Sequence, residues 1–100
     1  MSKDLVAQAA ADRLRALLRA VPEYEHLEVE RRGRNLTVLT HEQGEVVRLA
    51  RLSALPAGRF GLSLMWHNGR WERLPVVGTL HEVVATLRAD YAEMLAPSGR

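Results

Sequence analysis

The stretch LSLMWHNGRWERLP, residues 62–75, decides the fold. Leu62, Leu64 and Trp66 alternate with Ser63, Met65 and His67. Asn68-Gly69 then interrupts, and Trp71, Arg73 and Pro75 follow. A period of two is the mark of a strand, because successive side chains point to opposite faces. Asn-Gly between two such runs reads as a type I′ hairpin turn, which needs positive φ at both central positions.

Upstream the same alternation extends back to residue 26. Leu27 and Val29 alternate with Glu28 and Glu30 up to a turn at Gly33. Leu36 and Val38 flank Thr37 before Gln43-Gly44, and Val47 and Leu49 flank Arg48 before Pro56-Ala57-Gly58. Connections this short exclude parallel crossovers. Residues 26–76 are therefore expected to form a five-stranded antiparallel meander.

Outside the sheet the period becomes 3.6. Over residues 3–21, Val6, Ala7, Ala10, Ala11, Leu14, Leu17, Leu18 and Val21 fall within one arc of about 140° at 100° per residue. Ser2 is the expected cap, Asp4 and Arg19 suit the two ends of the helix dipole, and Pro22 stops the helix. Residues 79–96 read as a second helix. Thr79 and Glu82 have the spacing of a capping box, and Leu80, Val84, Leu87, Tyr91 and Met94 form its stripe. Residues 98–100 read as a loose tail. The expectation is a two-layer α+β fold: N-terminal helix, five-stranded antiparallel meander, C-terminal helix. At 100 residues there is room for one domain, spanning 1–100.

Composition narrows the function classes. A hydrophobic fraction of 47% with a net charge of +2 excludes a disordered chain. Without cysteine there is no disulfide framework and no thiolate-ligated zinc. No apolar stretch is long enough to span a membrane. Asp4, Asp12, Arg13 and Arg15 stand where a signal peptide needs apolar residues, so the expected location is cytoplasmic. The pI of 9.7 reflects 13 arginines and one lysine interleaved with acids, not a large excess of positive charge.

With tight turns at 33–34, 43–44 and 68–69 and a four-residue loop at 56–59, the register follows. Val29 faces Val38, Thr40 faces Val47, Val38 faces Leu49, Leu49 lies beside Trp66, Arg51 lies beside Leu64, and Trp66 faces Trp71. One face then collects Leu27, Val29, Leu36, Val38, Val47, Leu49, Leu62, Leu64 and both tryptophans as a core. The other carries Leu39, Val46, Ala50, Leu52, Met65 and Leu74 among charged residues, and no aromatic. That is more apolar than a solvated face should be.

The candidate chemistry is sparse. His26, Glu28 and Glu30 share one side of the first strand, with His41 opposite His26. A metal is one reading and an ordinary charged edge stripe the other, and the stripe is preferred because no HxxH or HExxH spacing supports a metal. Ser53 and Ser63 lack a nucleophile elbow, and Gly58-Arg59-Phe60-Gly61 is too short for a phosphate cradle. No catalytic, metal or cofactor site is expected, and the chain is not expected to be an enzyme.

Three functional expectations remain. The first is an interaction module, homodimeric or bound to another protein, using Leu39, Ala50, Leu52, Met65 and Leu74 on the outer face. The second is a nucleic-acid-binding accessory. It would use an outer-face row of Arg48, His67 and Arg70, with Arg31, Arg32 and Arg34 at a hairpin tip. The third is a small-ligand pocket between a helix and the sheet, walled by Phe60, Trp66 and Trp71.

Overall fold

The computed structural model describes residues 3–97, with side chains from Val6 onward. The expected cap Ser2, the side chain of Asp4 and the tail 98–100 lie outside the described residues. Helix α1 (Lys3–Arg19) leads through a 3₁₀ turn at Pro22–Tyr24 into five strands. These are β1 (Glu28–Arg32), β2 (Asn35–Glu42), β3 (Glu45–Leu55), β4 (Arg59–Met65) and β5 (Trp71–Gly78). They pair in chain order as one antiparallel sheet. Helix α2 (Leu80–Asp90) and the single turn α3 (Ala92–Leu95) close the chain. This is the expected α+β arrangement.

Local signals account for most boundaries. Thr79 Oγ1 accepts from the Glu82 N–H at 3.2 Å, and Glu82 Oε1 accepts from the Thr79 N–H at 2.8 Å, completing the capping box. The Thr79 backbone N–H, then its hydroxyl, hold the Glu82 carboxyl below its usual 4.5. The C-terminal helix is not continuous as expected. Tyr91 leaves helical geometry (φ −130°, ψ 32°), and the redirected turn brings Leu95 into the core at 0% exposure. His26 Nε2–H donates to the Leu95 carbonyl at 2.8 Å and anchors that turn to the start of β1.

One hydrophobic core contains Ala11, Leu14 and Leu18 of α1 together with Leu80, Val83, Val84 and Leu87 of α2 and Leu95 of α3. From the sheet it takes Leu27, Val29, Leu36, Val38, Ala50, Leu52, Phe60, Leu62 and Leu64. All helices thus cover the same sheet face, and the opposite face is uncovered by any described element.

The register holds as expected at its start and departs from expectation at three places. Val29 faces Val38, Thr40 faces Val47, and Gln43 and Gly44 both have positive φ (53° and 83°), as a type I′ turn requires. Further along β3, Leu39 faces Arg48 but Val38 faces Ala50, so Leu49 is the extra residue of a β-bulge. Ala50 and Leu52 thereby turn to the helices, opposite Val38 and Leu36, and are 0% exposed. The β3–β4 loop has three residues, with Leu55 facing Arg59 and with Ala57 and Gly58 in the left-handed region (φ 64° and 72°). Leu52 therefore faces Leu62, Ala50 faces Leu64, and Arg51 faces Ser63 rather than a leucine.

The third departure is the Asn68-Gly69 turn. Only Gly69 has positive φ (81°), the Gly69 N–H donates to the Trp66 carbonyl, and the Trp66 N–H donates to the Arg70 carbonyl. The loop is three residues, His67–Gly69, with glycine supplying the left-handed position. Met65, not Trp66, faces Trp71. The tryptophans are no buried pair: Trp66 is 49% exposed and bonds through its indole N–H to Glu72, while Trp71 lies half-buried on the outer face.

Candidate functional site

The residues expected to form an apolar outer patch do not meet. Ala50 and Leu52 are in the core, and Leu74 packs against it from a bulged part of β5, where Leu74, Pro75 and Val76 oppose Leu62 alone. Leu39 and Met65 remain on the outer face, on strands that are not neighbours. Leu39 is 5% exposed beneath the charged pairs of β1–β3, and Met65 is half-buried beside Trp71.

The expected arginine row does not assemble either. Arg48 is on the outer face but pairs with Glu30 at 3.4 Å, His67 lies in the three-residue loop, and Arg70 follows that loop as the backbone partner of Trp66. Arg32 and Arg34 are exposed at the β1–β2 hairpin, and Arg31 sits opposite Leu36 on the helix side. Of the histidine–glutamate set, His41 Nε2 approaches Glu28 Oε2 at 3.2 Å, whereas His26 is taken by the Leu95 carbonyl. Among the described residues, no three potential metal ligands come together.

A different row forms in its place. Thr37 on β2, Arg51 on β3, Ser63 on β4 and Arg73 on β5 are successive register partners across the outer face. Cross-strand partners stand about 4.5–5.5 Å apart at Cβ, so hydroxyl-bearing and guanidinium-bearing residues alternate along one line across the sheet. Thr37 and Ser63 are buried as its floor, at 6% and 3% exposure. The Arg51 guanidinium carbon stacks 4.6 Å from the centre of the Trp71 ring. Arg73 leans over Gly61, where a Cβ would come within 2.8 Å of its Nη2.

The electrostatics divide the outer face in two. On the β1–β2 side, Glu30 is paired with Arg48, and Glu28 Oε2 lies 3.2 Å from His41 Nε2. On the β3–β5 side, Arg51 and Arg73 have no carboxylate within 4.0 Å among the described residues. Arg51 Nε is moreover buried without a hydrogen-bond partner there. A buried guanidinium N–H without an acceptor is costly.

Sequence reasoning does not join Thr37, Arg51, Ser63, Trp71 and Arg73 into a row. It places Trp71 in the core and in a ligand-pocket wall, considers Ser63 only as a nucleophile, and gives Thr37, Arg51 and Arg73 no functional role; yet a signal for the row exists. An unbulged register places Arg51 in the core beside Leu64, in the middle of the sheet. Burying a charge there is expensive, so the conflict itself marks a register shift upstream.

A second feature lies on the helix side. A cleft of about 370 Å³ opens between the first turns of α1 and the tips of the β1–β2 and β3–β4 hairpins. Phe60 lines it, as expected of a ligand wall, but Trp66 and Trp71 do not. Comparison with known proteins gives no match: no protein-family model fits the chain, and neither a curated protein nor a solved structure is similar to it at a significant level.

Proposed function

We propose that this chain binds single-stranded nucleic acid on the uncovered sheet face. The observation that carries the reading is the Thr37–Arg51–Ser63–Arg73 row beside Trp71, with neither guanidinium paired to a carboxylate among the described residues. Planar forked donors suit phosphate oxygens, and hydroxyls between them add further donors. With Arg51 over one face of the Trp71 ring, a base stacks on the outer side of that guanidinium plane, and base stacking is worth about 1–3 kcal/mol per base and tolerant of sequence. The carboxylates Glu28 and Glu30 on β1 leave the attraction for phosphate concentrated over β3–β5, while the net charge of only +2 favours modest affinity over broad polyanion binding.

A dT oligonucleotide titrated into the Trp66→Phe variant, which leaves Trp71 as the fluorescent reporter, tests this. Quenching is expected at low salt, with a dependence set by the number of phosphates neutralised. Two guanidiniums imply a slope of about −1.4 in log K against log salt, or about a sevenfold loss between 50 and 200 mM. Arg51→Gln and Arg73→Gln should each halve that slope, whereas Arg88→Gln on exposed α2 should leave it unchanged. No quenching at 20 mM salt, or slopes indifferent to Arg51 and Arg73, overturns the proposal.

A further inference from the structure

The structure assigns a second binding site, separate from the sheet face, to the cleft between α1 and the hairpin tips: a site for a small amphipathic anion, an aliphatic carboxylate. Its volume of about 370 Å³ falls in the range of small-molecule pockets, about 300–1,000 Å³. The space arises from sequence. Ala7 and Ala10 present only methyl groups from α1, and Ala54 does the same from the end of β3, so helix and sheet diverge without filling the gap. Phe60 lies at the side, and Val6 is 56% exposed above the opening.

One end of the cleft is charged. Arg34 is the one ionic side chain among the described lining residues, and no described carboxylate lies within 4.0 Å of it. Its backbone is held in place, since the Arg34 carbonyl accepts from the Ala54 N–H at 2.9 Å. A hydrocarbon wall ending in one unpartnered guanidinium matches a ligand with an apolar tail and one anionic head. A neutral amphiphile leaves the arginine unpaired, and a dianion brings a second charge that the lining does not answer. The opposite wall is fixed by the β3–β4 turn, where Ala57 holds a left-handed conformation (φ 64°, ψ 32°) beside Leu55 and Pro56. A non-glycine residue keeps such a conformation only when its surroundings over-determine it.

Octanoate and 1-octanol, titrated separately into the isotopically labelled chain and followed by amide chemical shifts, distinguish the possibilities. Saturable octanoate shifts are expected at Ala7, Ala10, Ala54 and Phe60, with 1-octanol binding about tenfold more weakly for want of the charged hydrogen bond. Arg34→Gln, in an exposed turn, should bring the two affinities together, and Ala7→Leu should abolish both while leaving the rest of the spectrum folded. A dT oligonucleotide should not compete, which keeps this test independent of the sheet face. The proposal falls if octanoate causes no saturable shifts, if the shifts scatter over the surface, if 1-octanol binds as well as octanoate, or if either variant has no effect.

Discussion

Deleting Leu49 should leave every other residue of the sheet paired as it is. Arg48 faces Leu39 and Ala50 faces Val38, so joining Arg48 directly to Ala50 restores plain alternation without turning any neighbour over. Leu49 is half-buried at the border of the core, and its removal forfeits part of the about 1.5–3 kcal/mol of a fully buried leucine, about 1 kcal/mol here. Against that stands about 1 kcal/mol of backbone entropy no longer lost on ordering an unpaired residue. The net change is expected within about 1 kcal/mol of the parent. Deleting Arg51 has the opposite consequence. Leu52 would then face Thr37 on the outer side, and Ser53 would point at the core opposite Leu36. Losing one fully buried leucine costs about 2–5 kcal/mol before the buried hydroxyl is counted. Urea denaturation followed by far-ultraviolet circular dichroism separates the two. At an m-value near 2 kcal/mol/M, about 2 kcal/mol lowers the midpoint by about 1 M. A Leu49 deletion that falls as far as the Arg51 deletion would refute the reasoning, and the outward placement of Arg51 with it.

Two further outcomes are expected. Gly61→Ala places a methyl group 2.8 Å from Arg73 Nη2, and the flexible side chain must move aside; the unfolding free energy from urea denaturation should stay within about 0.5 kcal/mol of the parent while oligonucleotide binding weakens, and unchanged affinity would exclude Arg73 in that position from the contact. Thr79→Ala removes the hydroxyl that caps α2 and should cost about 1 kcal/mol, read by the same denaturation. Because the folded Glu82 carboxyl titrates below its usual 4.5, its contribution is complete above that value and disappears as pH falls through the lower folded value. The stability gap between the parent and Glu82→Gln should therefore close on acidification, and a gap that persists below both values would exclude the carboxylate as its source.

Element types were legible in the sequence, and their relative offsets were not. The strands declare themselves by alternation, and the capping box of α2 by Thr79 and Glu82. The type I′ turn at Gln43-Gly44 also behaves as its sequence implies. The errors arose where one residue more or less preserves the local pattern. A three-residue loop ending in Gly69 uses the same Asn-Gly pair as a two-residue turn, and Ala57 adopts a left-handed conformation that no propensity assigns to alanine. The bulge at Leu49 has no signature residue of its own and shows only indirectly, through the charge that an unbulged register would bury at Arg51. Each slip of one residue exchanges the two faces of a strand.

The outer face shows how far such a slip reaches. With the bulge ignored, Ala50 and Leu52 lie outside, Arg51 lies inside, and the face looks like an apolar contact surface. With Leu49 set aside as the extra residue, Leu52 fills the core opposite Leu36 and Leu62, and Arg51 comes out between Thr37 and Ser63. The loop at Gly69, one residue longer than a two-residue turn, then brings Trp71 to the same side, opposite Met65 and against Arg51. The apolar residues and the arginine occupy opposite faces of one strand, so the same offset that completes the core must also assemble the cationic row. Core packing thus fixes the position of Arg51, because its neighbours Ala50 and Leu52 can be buried only if it points outward.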